Sequence, residues 1–215
     1  EIRDAVAKGI IAIPANINHT TLDPEGVGEG LRTKVNVNLG ISGDLMDEEM
    51  ELEKARIALE LGAEGIMDLS NHGKTREFRR KLLAMSSAMI GTVPMYDAIG
   101  YLEKPLIGIT AQDFLDVIRA HAEDGVDFVT VHAGMNRRVI ESFKETGRLM
   151  NIVSRGGSLI FAWMEATGNE NPFYEHYDEV LEILHEYDVT ISIGDAMRPG
   201  CTYDASDAGQ IAELI

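Results

Sequence analysis

With 215 residues, 45% of them apolar, the chain is long enough to bury one sizeable core and too short for two full domains. Its 36 acidic residues against 19 basic ones give a formal charge of -17, and no Lys/Arg run concentrates positive charge, which argues against nucleic-acid and anionic-membrane partners. The single cysteine, Cys201, excludes an internal disulfide; with neither a signal-peptide pattern nor an apolar stretch of about 18 residues, the expected compartment is the cytoplasm.

Residues 1–33, which include IPANINHTTLDPEG, show no regular periodicity and read as a loop-rich lead-in. From residue 34 onward, short β-branched or apolar runs ending in small or polar residues alternate with longer stretches of helical spacing. Six runs are predicted as strands: 34–40 (KVNVNLG), 64–70 (EGIMDLS), 89–97 (MIGTVPMYD), 126–134 (VDFVTVHAG), 150–157 (MNIVSRGG) and 189–200 (VTISIGDAMRPG). Helices are predicted over 47–61, 75–86, 110–124, 137–146, 158–167 and 174–187. Thr110 with Asp113 has the pattern of an N-cap followed by an acidic first turn.

Strand–helix alternation implies parallel strands joined by right-handed crossovers, and therefore a doubly wound sheet or a barrel. No strand is followed by GxGxxG, and polar groups recur at many strand ends rather than at one switch point, which favours the barrel. A (β/α)8 barrel needs about 250 residues. The reading is therefore a truncated α/β barrel of about six βα units over 34–215, a fragment whose final DAGQIAELI pattern carries no stop signal.

In a barrel the C-terminal strand ends converge on one mouth. Those ends carry Asn36 and Asn38, then Met67, Asp68 and Ser70, then Tyr96, His132, the 154–157 turn (SRGG) and the 195–198 segment (DAMR). Arg155 and Arg198 offer forked N–H donors, and Gly156-Gly157 entering a helix exposes backbone N–H groups at the positive end of its dipole, which together suit a phosphate. Asn38, Tyr96 and Asp195 suit ring nitrogens or ribose hydroxyls, and His132 suits proton transfer near neutral pH. His19, His72, His121, His176 and His185 show no metal-ligand spacing; His121, His176 and His185 read as structural helix residues.

At the same strand ends the sequence resembles the phosphomethylpyrimidine synthase (ThiC) family, radical enzymes of thiamine biosynthesis that use S-adenosylmethionine. The matching strings are IPANINH, KVNVNLG, MDLS, IGTVPMY, HAEDGVDFVTVHAG, IVSRGGS, ENPFYEHYDEVLEI and GDAMRPGCTYDASDAGQIAEL, in the family's order. The resemblance implies a carbon–carbon lyase that rearranges 5-aminoimidazole ribotide, with substrate contacts at Asn38, Met67, Tyr96, His132, Ser154, Arg155, Gly156, Asp195, Ala196, Met197 and Arg198. It also implies a 4Fe-4S cluster, S-adenosylmethionine and a divalent metal such as zinc, all held by family segments outside residues 1–215. It further implies a homodimer of the complete protein and no turnover by the fragment alone; no residue is assigned a catalytic role.

Where the thiamine enzymes read roughly KVNANIG, MDLSTGG and SLGDGLRPG, this chain has KVNVNLG, MDLSNHGK and SIGDAMRPG. The departures at Asn71-His72 and Ala196-Met197 keep open a paralogous branch, the 5-hydroxybenzimidazole synthases, which act on the same ribotide in cobalamin lower-ligand synthesis. Two other readings compete: a non-radical barrel lyase or isomerase acting on a sugar phosphate with His132 as acid–base, and a non-catalytic ribotide-binding barrel.

Overall fold

The computed structural model describes residues 1–102 and 104–215. The lead-in forms a short helix α1 (Ile2–Ala7) and two short antiparallel strands, β1 (Ile11–Ala12) and β2 (Val27–Gly28), and is otherwise mostly loop and turn. Beyond it the chain runs β3 (Asn36–Leu39), α2 (Glu48–Glu60), β4 (Gly65–Asp68), α3 (Thr75–Met85), β5 (Met89–Thr92), α4 (Pro94–Tyr101), α5 (Ala111–Asp124), β6 (Phe128–Val131), α6 (Arg137–Lys144), α7 (Arg155–Thr167), α8 (Pro172–Glu175), α9 (Tyr177–Glu186), β7 (Thr190–Ile193) and α10 (Ala208–Leu214). The molecule is α/β, with a five-stranded parallel sheet in the order β3-β4-β5-β6-β7. No helix among the described residues is long and apolar enough to cross a membrane.

Consecutive parallel strands in sequential order, joined by crossovers of one hand, place their helices on the same face. Side-chain alternation agrees, because Ile66, Ile90 and Val129 are fully buried on that face. Asn36, Asn38, Met67, Thr130, Thr190 and Ser192 alternate onto the other face, where a cavity of about 460 Å³ is lined by Asn36, Met67, Phe128, Thr130 and Ser192 among others. Gly91 is required there: a Cβ at this position would sit 2.1 Å from the Phe128 ring, which lies across the sheet.

On the helix side the Phe114 ring packs edge-on against Trp163 and Phe173 at 5.7 and 5.5 Å, and the Trp163 indole N–H donates to the Ile109 carbonyl at 2.8 Å. The Thr110–Asp113 pair forms a reciprocal capping box at the start of α5. The lead-in is fastened to the strand bases through one buried carboxylate. Asp127 accepts the Asn16 and Ile90 amides at 3.0 and 2.7 Å and lies 2.7 Å from His19 Nδ1. Asn16 Nδ2 also donates to the Ala122 and Val126 carbonyls at 2.7 and 2.9 Å.

Four predicted elements are corrected. Residues 150–157 form no strand, and β6 pairs directly with β7. Asn151 has φ 49°, and the Leu149 and Met150 amides donate to the Asp204 carboxylate, both at 2.9 Å, rather than to a neighbouring strand. Helix α7 therefore begins at Arg155, with Ser154 as its N-cap, rather than at Ser158. Tyr96 does not end a strand: Pro94 at the first helical position starts α4, which carries Tyr96 in its first turn. The helix predicted over 174–187 is divided into α8 and α9 at His176.

Candidate functional site

His132 follows β6 by one residue and continues the alternation of Phe128 and Thr130 onto the open face of the sheet. It is 3% exposed, and its Nε2 lies 3.1 Å from the Ser154 hydroxyl. Ser154 is itself fully buried and caps α7 by accepting the Gly157 amide at 3.1 Å. With one lone pair taken by that amide, the Ser154 hydroxyl can donate its hydrogen to His132 Nε2, which assigns the ring proton to Nδ1. Among the described residues His132 Nδ1 is the buried side-chain polar atom left without a partner. Burial first, and then the Arg198 charge, hold His132 at a pKa of about 4 against the opposing pull of Asp195, so the ring is neutral near pH 7.

Gly156 makes this arrangement possible. A Cβ there would fall 2.2 Å from His132 Cε1 and 2.6 Å from Nδ1, so any side chain would displace the imidazole. The 195–198 segment lies on the other side of the same helix start, since a Cβ on Gly157 would meet the Ala196 carbonyl oxygen at 2.7 Å. Ala196 and Met197 are fully buried, while Asp195 is exposed and pairs with Arg198 at 3.2 Å. The first turn of α7 thus brings together His132, Ser154, Gly156 and the 195–198 segment.

One residue along the same turn, Arg155 reaches a second group. Its guanidinium sits 5.5 Å from the Tyr96 ring centroid, and both residues line a cavity of about 300 Å³ with Ser42, Asp44, Asn71 and Leu159. Arg155 is exposed and forms no ion pair among the described residues, whereas Arg198 is engaged by Asp195. The next residue along α4, Asp97, is a buried carboxylate that accepts Thr75 Oγ1 at 2.5 Å and Arg79 Nη1 at 3.1 Å, and lies 2.9 Å from His121 Nε2, which anchors the helix that carries Tyr96.

Asn38 and Met67 are directly paired in the sheet, and Met67 in turn pairs with Gly91. Asn38 accepts from Asn36 Nδ2 at 3.0 Å. Among the described residues no hydrogen bond joins Asn38 or Met67 to His132 or Arg155; they share the open face with the His132 strand. The Asp97 network and the residues that hold the 195–198 turn, Glu213 and Arg148, carry no local sequence signal, because their partners lie from 16 to 50 residues away, beyond any helical or strand repeat.

A family model described as the radical SAM ThiC family matches residues 1–215. Over all of this chain, the phosphomethylpyrimidine synthases of Alkaliphilus oremlandii and Alkaliphilus metalliredigens are 62% and 63% identical, and that of Clostridium tetani is 62% identical. The chain spans 49%, 49% and 47% of those proteins, about half the length of the curated relatives it matches. A match that runs from the first residue to the last, through the His132, Ser154–Gly157 and 195–198 segments alike, establishes that the chain belongs to the radical SAM ThiC family.

Proposed function

We propose that this chain is the ribotide-holding part of a phosphomethylpyrimidine synthase, which rearranges 5-aminoimidazole ribotide to 4-amino-5-hydroxymethyl-2-methylpyrimidine phosphate. The observation that carries the reading is the buried, partnerless Nδ1 of His132 beside a helix start that includes Gly156 and the unpaired Arg155. A neutral imidazole N–H suits an acceptor atom of the ribotide, and the Arg155 fork with the α7 amides suits its phosphate. Tyr96 restrains Arg155 from the side, and Asn38, Met67 and Asp195 complete the contacts at the strand ends. The sheet, with β3 and β7 at its open edges, continues into a closed (β/α)8 barrel in the complete protein, covering the polar face and keeping water from reactive species.

The residues present do not fit a cluster or a metal. Cys201 is the one thiol in the sequence, and no group of three or more His, Cys, Asp or Glu among the described residues is arranged to hold an ion. In this proposal a 4Fe-4S cluster, which would supply the cleavage of S-adenosylmethionine, and a divalent metal such as zinc are held by segments outside residues 1–215, and this chain's work is binding, orientation and exclusion of water. Residues 1–215 expressed alone turn over no ribotide, and the complete protein acts as a cytoplasmic homodimer.

A second reading, 5-hydroxybenzimidazole synthase, is favoured by one position. Asn71, where the thiamine enzymes carry a small residue, lines the cavity of Tyr96 and Arg155. Ala196 and Met197 are buried away from solvent, so those departures act on packing against α7. Incubating the complete, cluster-loaded protein with ribotide and S-adenosylmethionine and weighing the product tests both readings. The pyrimidine phosphate supports the first, 5-hydroxybenzimidazole alone replaces it with the second, and ribotide bound without conversion leaves a non-catalytic barrel.

A further inference from the structure

We infer that Glu213 and Arg148 are positioning residues that clamp the backbone of the 195–198 turn from opposite sides, so that Asp195 and Arg198 are held beside His132. This deepens the ribotide-binding reading and rests on it. Glu213, on α10, accepts the Ala196 amide through Oε1 at 2.8 Å and the Met197 amide through Oε2 at 2.6 Å. Arg148 takes the carbonyls of the same turn: Nη2 donates to Met197 O at 2.5 Å and Nη1 to Arg198 O at 3.4 Å. Its side chain is 1% exposed and is fixed by a two-point bond to Asp207, at 2.5 and 2.8 Å, and by the Phe143 ring 5.6 Å below.

Charge-assisted bonds of this kind are about twice as strong as neutral ones, and a carboxylate spanning two successive amides fixes the peptide between them. The clamp also joins the two halves of the site. Glu213 Cγ would lie 2.9 Å from a Cβ on Gly134, two residues after His132, so α10 seats against that segment while it holds the turn. A further consequence concerns the phosphate. Two adjacent N–H groups at Ala196 and Met197 would otherwise offer an anion hook; with Glu213 occupying them, Arg155 and the α7 amides are the donors that remain.

The test uses the full-length protein with Glu213→Gln, which can accept one amide and opposes the other with its own NH2, and Arg148→Lys, which keeps the charge facing Asp207 but loses the fork. Hydrogen–deuterium exchange reads the clamp without any ligand: exchange at Ala196 and Met197 is expected to speed up at least about tenfold in Glu213→Gln, with helices α2 and α5 unchanged. Unchanged exchange at these two amides in both variants overturns the inference. Titration with 5-aminoimidazole ribotide then reads the positioning role. Glu213→Gln is expected to weaken binding about tenfold, and the loss should shrink to under about twofold in an Arg198→Ala background while persisting beside Asn38→Ala. A penalty equal in both backgrounds marks a general structural effect and also overturns the role. Failure of the unmodified protein to bind ribotide removes the functional reading instead, and the exchange result still decides the clamp.

Discussion

His121 and His132 are buried almost equally, at 2% and 3% exposure, and both are held at a pKa of about 4. Burial is the main cause for each, followed by a nearby arginine, Arg79 for His121 and Arg198 for His132. Their hydrogen bonding separates them. His121 Nε2–H donates to Asp97 at 2.9 Å and Nδ1 accepts from the Thr92 hydroxyl at 2.8 Å, so both nitrogens are satisfied within the fold. His132 has Ser154 on one nitrogen and nothing on the other. Charge state does not distinguish the two rings; the unmet hydrogen bond does, and the proposed ribotide contact at His132 rests on it.

Alanine at each histidine should separate the two most widely. His121→Ala leaves Asp97 and Thr92 buried and short of a partner, and should cost roughly 3 to 5 kcal/mol of unfolding free energy. His132→Ala leaves only the neutral Ser154 hydroxyl short of a partner, so it should cost less, about 1 to 2 kcal/mol, and in addition weaken ribotide binding about tenfold. Chemical denaturation paired with ribotide titration reads both, and a His121 variant that folds normally yet loses ribotide would reverse the assignments.

Acid gives the next effect. Because both folded-state pKa values lie below the ordinary 6.5, the unfolded chain binds protons that the folded chain refuses, so stability is full above pH 6.5 and falls as pH drops toward 4. Each histidine contributes a loss on the order of 3 kcal/mol across that window. Asp97 acts lower: burial alone would raise it, but His121, Thr75 and Arg79 outweigh that and hold it at about 2, so its contribution is full above 3.8 and is lost as pH falls from there through about 2. His19 runs the other way, since burial pulls its pKa down and the Asp127 carboxylate more than restores it; its contribution is lost as pH rises. Unfolding free energies measured from pH 7 to 4 should decline less steeply in His132→Gln than in the unmodified chain, since Asp68, which burial raises to about 6, and His19 pull the other way in both; identical slopes would contradict the shared burial of the pair.

Gly156→Ala should weaken ribotide binding by about as much as His132→Ala, roughly tenfold, because the new Cβ would meet the imidazole at 2.2 Å and displace it. A crystal structure of that variant should show the His132 ring displaced while His121 stays in place. Arg155→Lys is the smallest change, about fivefold in affinity, from losing the fork and the Tyr96 ring contact. Equal affinity for the lysine variant would move the phosphate elsewhere.

Most strands were legible because period-two runs at 34–40, 64–70, 89–97, 126–134 and 189–200 are bounded by glycine and polar residues, and each contains an observed strand. Ile152 and Val153 misled because their apolar character is local while the competing bonds, from Asp204 to the Leu149 and Met150 amides, come from more than 50 residues away. Helix α4 had its signal in Pro94, which fits a first helical position as well as a strand end. His132 was legible as a strand-end residue; Ser154 and Gly156 were read as the end of a strand that does not form, yet the start of α7 brings them to His132 all the same. The contrast between His132 and His121 was not legible, since it depends on whether Thr92 and Asp97 reach both nitrogens of one ring and not the other. Glu213 and Arg148 escaped for the same reason.

The most direct test of a single ribotide site at these strand ends is calorimetric titration of the full-length protein with 5-aminoimidazole ribotide. His132→Ala and Arg155→Ala would be run beside Lys144→Ala, which alters only a surface ion pair with Glu165. The account predicts saturable binding, weakened about tenfold by each of the first two substitutions and unchanged by the third. Absence of binding, or binding that neither His132→Ala nor Arg155→Ala alters, would contradict it.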